Sequence, residues 1–228
     1  MRYEAPESLD AAVALLNNES GTARVLAGGT DLIVQMRADM VDPDLVVDIK
    51  KIDEMRTISE ENGGWRVGAA VTGAELNEHE AFKAAWPGVC EGTDLIGSTQ
   101  IQSRATIGGN LCNASPAADS VPAMFAAGVV LTIAGPDGRR ELAVEALNTG
   151  PGKNTLAKGE IVVSFAFPAR GANASDAYLR LTPRTEMDIA VVGVGVSLEL
   201  DGDGTCTAAR VGLGAVAVTA LLVEEAAN

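Results

Sequence analysis

Apolar positions change period along the chain, and each change marks an element. Leu9, Ala12, Val13 and Leu16 recur at helical spacing behind Ser8, a residue type that caps helices, and Gly21 follows shortly after. That spacing predicts a helix. Arg24-Val25-Leu26-Ala27 reads as a short buried strand, broken by Gly28-Gly29-Thr30-Asp31, and Leu32 to Met40 is predicted helical. Leu45 to Ile49 and Trp65 to Ala69 have the Val- and Ile-rich or aromatic character of strands. Thr72-Gly73-Ala74-Glu75 has the spacing of a capping box. Residues 80 to 96 look helical apart from Pro87 and Gly88. From Gly97 to Pro116 the periodicity gives way to Gly, Ser, Thr and Asn, a length of polar chain that reads as a functional loop.

A helix over Pro122 to Ala127 and a strand over Val129 to Ala134 are predicted next, followed by a turn at Pro136-Asp137-Gly138. Ile161 to Phe167 and Ala177 to Leu181 read as strands. Ile189 to Leu200 and Cys206 to Leu213, joined by Asp201-Gly202-Asp203-Gly204, form a hairpin pattern, and Leu221 to Ala227 looks like a helix start. The chain thus passes from βα elements to mostly antiparallel strands, the order of an α+β protein of more than one lobe. No repeat of fixed period is visible. The seams fall near residues 50–64 and 168–176. The apolar hairpin near the end needs a covering layer, and only one partial helix follows it in the sequence.

Composition narrows the function. A net charge of −14 with no Lys/Arg run opposes binding to nucleic-acid phosphates or to an anionic membrane surface. The first residues contain no apolar core of a signal peptide. The longest uncharged apolar stretch, Ser120 to Pro136, is interrupted by Pro122, Gly128 and Gly135, so no membrane span is expected. Cys90, Cys112 and Cys206 are too few for an iron–sulfur cluster and too scattered for a zinc site or a disulfide framework. With His79 the only histidine, most hydrolase triads and His-based metal sites are excluded. A reduced, cytoplasmic setting is the expectation.

Two glycine pairs carry the candidate chemistry: Ala27-Gly28-Gly29-Thr30-Asp31 directly after a strand, and Ala105-Thr106-Ile107-Gly108-Gly109-Asn110-Leu111 inside the polar stretch. Glycine allows φ > 0 and close approach to the main chain, and successive N–H groups make a nest for an anion. Two such loops can grip a diphosphate from both sides. Each is equally readable as a tight turn, and neither is a GxGxxG or a P-loop. Asp119 is readable as a helix N-cap or as a ligand contact. His79 reads as a solvated surface residue, Cys112 as a small buried filler, and Trp65 and Trp86 as core or interface. Arg184, Glu186 and Asp188 read as a surface ion-pair set.

The residues in and around these loops go further than spacing. Val25 to Leu32 resembles the first flavin loop of the FAD-binding medium subunits of molybdenum hydroxylases, the xanthine dehydrogenase and aerobic carbon monoxide dehydrogenase family. Ser103-Arg104-Ala105-Thr106-Ile107-Gly108-Gly109-Asn110-Leu111-Cys112-Asn113-Ala114-Ser115-Pro116-Ala117-Ala118-Asp119 is similar to its second signature. Tyr178-Leu179-Arg180 to Arg184 and Asp188 to Val192 resemble the start of its C-terminal lobe. The resemblance implies a p-cresol methylhydroxylase-like fold. Two α+β lobes, over residues 1–55 and 56–170, hold FAD non-covalently, and an incomplete antiparallel β/α lobe occupies residues 171–228, with relatives continuing beyond Asn228.

The same resemblance implies site residues. Leu26, Ala27, Gly28, Gly29, Thr30, Asp31 and Leu32, with Thr106, Gly109, Asn110 and Asn113, are implied along the diphosphate and ribityl chain. Asp119 is implied on the adenosine part. Ile96 and Val163 fall near the adenine or the ring, and Arg180 near the isoalloxazine. The implied function is electron transfer from the [2Fe–2S] clusters of a small subunit, beside a large molybdopterin subunit, to NAD+, quinone or oxygen. The alternatives are a scaffolding or nucleotide-binding subunit without working flavin, and an NAD(P) domain, which lacks its GxGxxG fingerprint here.

Overall fold

The computed structural model describes residues 1–185 and 187–227; Glu186, one of the expected ion-pair set, lies outside them. The described residues build three larger sheets and one separate two-stranded pair. The first is parallel and three-stranded: β1 (Arg2–Glu4), β2 (Ala23–Leu26) and β3 (Leu45–Asp48), with β3 central. Helix α1 (Leu9–Asn18) connects β1 to β2, and the Ser8 hydroxyl accepts from the Ala11 amide as the sequence predicts. Its Leu9, Ala12, Val13 and Leu16 are buried. Helix α2 (Leu32–Arg37) is shorter than its apolar pattern suggests, because the chain turns at Asp39, whose φ is 54°.

The second sheet has five antiparallel strands in the order β4 (Ile58–Glu61), β5 (Gly64–Gly68), β10 (Ile161–Phe167), β6 (Val130–Gly135) and β7 (Gly138–Ala143). Strand β4 (Ile58–Glu61) falls inside the stretch read as a seam. It pairs with β5 (Gly64–Gly68) across Asn62-Gly63, both at positive φ, the signature of a tight hairpin turn. Helices α3 (Gly73–Glu78), α4 (Glu80–Ala85), α5 (Pro87–Asp94), α6 (Thr99–Gln102), α7 (Ile107–Cys112) and α8 (Ser120–Ala127) follow β5. Pro87 opens α5 rather than interrupting a helix, because a missing N–H costs nothing in the first turn. The predicted loop over 97–116 is corrected: it contains both α6 and α7. His79 is likewise not a free solvated side chain; its Nδ1 accepts from the Phe82 amide at the start of α4, and its ring meets Trp65 edge-on.

Strands β6 (Val130–Gly135) and β7 (Gly138–Ala143) form a hairpin, the short pair β8 (Asn148–Gly150) and β9 (Lys153–Asn154) stands alone, and β10 (Ile161–Phe167) runs through the middle of the sheet. Phe82, Trp86, Phe165 and Phe167 centre the core, with Phe82 and Phe167 edge to face at 5.1 Å. The third sheet orders β11 (Ala174–Leu181), β12 (Val192–Leu200), β13 (Cys206–Gly214) and β14 (Leu221–Leu222). A strand and a 3₁₀ turn over Glu224–Ala227 replace the helix start expected at Leu221. Among the described residues, no helix is long and apolar enough to cross a membrane.

The third sheet seats on α8 through glycine. A Cβ on Gly195 would lie 2.5 Å from the Pro122 carbonyl oxygen, and one on Gly212 only 2.3 Å from it. Buried charge locks the same seam. Arg170 pairs with Asp176 at 2.8 Å and lies 4.1 Å over the Trp86 ring, and the Asp176 carboxylate accepts from the Val89 amide.

In the first sheet, the Asp48 carboxylate accepts from the Tyr3 hydroxyl at 2.6 Å and from Lys50 Nζ at 2.7 Å. Burial pushes this carboxyl up, but the hydrogen bonds from Lys50 and Tyr3 and the Lys50 charge outweigh it and hold it below the ordinary carboxylate value.

Two outcomes follow. Gly195→Val is expected to lower stability by about 1–3 kcal/mol in urea unfolding through overpacking. Gly202→Ala, in an open turn with nothing within 4 Å, leaves it unchanged. Asp48 stabilises above its unfolded pKa of about 3.9, and its contribution is lost as pH falls through the lower folded value. Asp48→Asn should therefore flatten the fall in stability below about pH 4; an unchanged acid limb in denaturant titrations refutes this role.

Candidate functional site

The first glycine pair sits at the carboxyl end of β2, where the chain leaves a parallel strand for α2. Gly29 has φ = 79°, a conformation that favours glycine over residues with a Cβ. The amide N–H groups of Gly28 through Leu32 find no acceptor among the described residues, so five consecutive donors are left over at one turn. A buried or half-buried row of unpaired donors is rare in a folded chain and indicates a binding partner. Lys50 steadies the strand end from behind, donating from Nζ to the Ala27 carbonyl at 3.0 Å while paired with Asp48.

The second glycine pair is not a loop. Thr106 caps α7, its hydroxyl accepting from the Gly109 amide at 2.9 Å, and Gly108 and Gly109 lie within the helix. Two glycines in six residues oppose helix formation by propensity. Tertiary contacts overrule it: Ile107 and Leu111 are buried, and the carbonyls at the far end accept from Asn148 Nδ2 (to Leu111, 3.0 Å) and Asn154 Nδ2 (to Cys112, 3.3 Å). Gly108 is required by packing, since a Cβ there would lie 2.5 Å from the Ala69 carbonyl oxygen.

The two glycine elements meet. A Cβ on Gly28 would fall 1.9 Å from the Arg104 carbonyl oxygen and 3.1 Å from Ala105 Cα, so the first turn lies flat against the chain entering α7. Between them opens a cleft of about 710 Å³, within the size range of cofactor sites. A bridge of side chains spans the two elements: Gln35 Nε2 donates to Asn113 Oδ1 at 3.0 Å, and Asn113 Nδ2 donates to Asp31 Oδ1 at 3.2 Å. Partial desolvation pushes the Asp31 carboxyl above its usual range. Glu160, also on the wall, is already held by two hydrogen bonds from Arg140 at 2.6 and 2.8 Å.

Of the residues implied by the sequence, Ala27, Gly28, Gly29, Thr30, Asp31 and Leu32 line the cleft, as do Ile96, Thr106, Gly109, Asn110 and Asn113. Leu26, Val163, Asp119 and Arg180 do not. Leu26 belongs to β2 and packs beneath Gly29. A β-bulge between Val162 and Ser164 shifts the alternation of β10; all three residues from Ile161 to Val163 are buried, but only Ile161 and Val162 line the cleft. Asp119 makes no helix-capping bond; Oδ1 accepts from the Tyr178 hydroxyl at 2.8 Å and Oδ2 from Arg180 at 2.9 Å. Burial raises the Asp119 carboxyl above its usual range even though the Tyr178 hydrogen bond and the Arg180 charge pull it down.

Lys50, Gln35, Asn148 and Asn154 were not apparent from the sequence. Each acts through a contact with distant chain, and none carries a local motif. Cys112, read as a buried filler, is half-buried and lines the cleft.

Comparison with known proteins agrees with this architecture. Residues 1–170 match the FAD binding domain in molybdopterin dehydrogenase, and residues 177–228 match the CO dehydrogenase flavoprotein C-terminal domain. The xanthine dehydrogenase FAD-binding subunit of Escherichia coli O157:H7 is 34% identical over 84% of this chain and 66% of its own length. The carbon monoxide dehydrogenase medium chain of Hydrogenophaga pseudoflava is 32% identical over 80% of this chain and 64% of its own length. These matches span about two thirds of either relative. In the structure of reconstituted CO dehydrogenase from Oligotropha carboxidovorans, a chain 33% identical superposes with a TM-score of 0.94, over 99% of this chain and 78% of that one. The parallel strand ending in a donor-rich glycine turn, the capped glycine helix facing it and these matches together place the chain in the family of FAD-binding domains of molybdopterin dehydrogenases.

Proposed function

We propose that this chain binds FAD non-covalently in the cleft and serves as the electron-transfer subunit of a multi-subunit molybdenum hydroxylase. The observation that carries the reading is the row of unpaired amides from Gly28 to Leu32, packed against the chain that leads into α7. A diphosphate supplies acceptors of the right number and charge for such a row. The first turn, with Thr30, would hold one side of the diphosphate. Thr106, Gly109 and Asn110 would meet it and the ribityl chain from the other, and Ile96 and Val162 offer apolar wall to a ring. Flavin supplies the ability to accept electrons singly and release them in pairs.

The chain's own part in such chemistry is positional. Its backbone donors bind and orient, while Gly28 and Gly108 allow main chain to pack where a side chain would intrude. The Gln35–Asn113–Asp31 bridge ties the two walls together. Relatives described as an FAD-binding subunit and a medium chain support a role beside other subunits. A molybdopterin-bearing large subunit and a [2Fe–2S] small subunit would be those partners, and NAD+, quinone or oxygen the outlet.

The purified protein should show flavin absorbance near one equivalent per chain. Gly109→Val should abolish retention with little change in fold, since only the Thr106 hydroxyl lies within 3.4 Å of a Cβ there and the added branches enter the cleft. A colourless protein that rejects added FAD would point instead to a scaffolding subunit without working flavin.

A further inference from the structure

Asn110 lines the cleft, and a carboxamide there can present either a donor or an acceptor to a ligand. Which one it presents is decided by Ser120, the first residue of α8. Ser120 is fully buried, and its Oγ lies 2.7 Å from Asn110 Oδ1. A buried hydroxyl must place its proton on an acceptor, and no other acceptor for Ser120 Oγ exists among the described residues. If the carboxamide were reversed, Nδ2 would donate to Ser120 Oγ and the hydroxyl proton would be left with no acceptor. The bond therefore holds Oδ1 inward and turns Nδ2 toward the cleft.

We propose that Ser120 is a positioning residue for the cofactor, fixing Asn110 as a hydrogen-bond donor to an acceptor oxygen of the bound FAD. The inference rests on the FAD reading above and adds a residue that does not touch the cleft. Ser120 is itself closely packed. Its neighbour Asp119 is bonded to Tyr178 and Arg180, and α5 passes so close that a Cβ on Gly92 would lie 3.4 Å from Ser120 Cα. The orientation of a cleft side chain is thereby set by the joint at which the third sheet attaches.

The test is a double-mutant cycle on the whole protein, read as the FAD dissociation constant from quenching of flavin fluorescence, with thermal unfolding measured on every variant. Ser120→Ala should weaken FAD binding about tenfold in the natural background, the size of one lost hydrogen bond. In the Asn110→Ala background it should weaken binding less than about twofold. Equal weakening in both backgrounds, or none in either, overturns the inference and leaves the FAD reading standing. Failure of the natural protein to bind FAD overturns both. Should Ser120→Ala not fold, Asn110→Asp decides. A carboxylate still accepts from Ser120 but offers the cleft only acceptors, so it should weaken FAD at least as much as Asn110→Leu; natural affinity in Asn110→Asp overturns the donor role.

Discussion

Five peptide N–H groups in succession, Gly28 to Leu32, are left without an acceptor just past the end of the half-buried parallel strand β2. Leaving donors unpaired costs stability, on the order of 1–3 kcal/mol for each one truly removed from water. The fold maintains this arrangement from several directions. Gly29 adopts a positive φ that exposes successive amides, Lys50 fixes the Ala27 carbonyl, and Gly28 lies against the Arg104 carbonyl with no room for a side chain. Much of the rest of the site is placed by that last contact, because it brings α7 to the opposite wall.

The choice of main-chain donors fits the charge of the molecule. At −14, the protein repels phosphates at long range, and this field is screened over about 10 Å in ordinary salt. Over the last few ångströms, oriented amides count for more than net charge. The two carboxylates on the cleft wall are handled locally: Asp31 accepts from Asn113, and Glu160 is paired with Arg140. Arg180, the cation implied near the ring, is bonded to Asp119 and does not line the cleft. Recognition of an anion in this chain thus depends on backbone geometry, which an acidic surface does not erase.

What could be read from the residues divides along physical lines. The strand–Gly turn–helix unit at residue 28 was legible because strand periodicity, paired glycines and a following apolar run are all local. The N-cap at Ser8 and the capping box at Thr72 were legible for the same reason. Helix α7 was not, because two glycines mask it and its stability comes from Asn148 and Asn154, about forty residues away. The Asn62-Gly63 pair is a local turn signal, and the hairpin it closes lies where a seam is expected. Asp119 was legible as a polar residue before a helix, but its partners Tyr178 and Arg180 stand 59 and 61 positions on. No spacing rule reaches that far.

That long-range set gives the third sheet a role beyond attachment. Tyr178 and Arg180 lie on β11 and satisfy both oxygens of a buried carboxylate in the turn between α7 and α8. Removing one partner from such a pair costs about 3–5 kcal/mol, because the other charge remains buried. The turn is therefore well defined only when β11 is seated, and the glycines of β12 and β13 determine how closely the sheet can approach Pro122. Ser120 follows Asp119 directly and orients Asn110 in the cleft. A small displacement of the third sheet cannot be absorbed at its own edge, since Gly195 and Gly212 leave no slack against α8. It must pass into residues 119 and 120, and from there to the wall of the cofactor cleft.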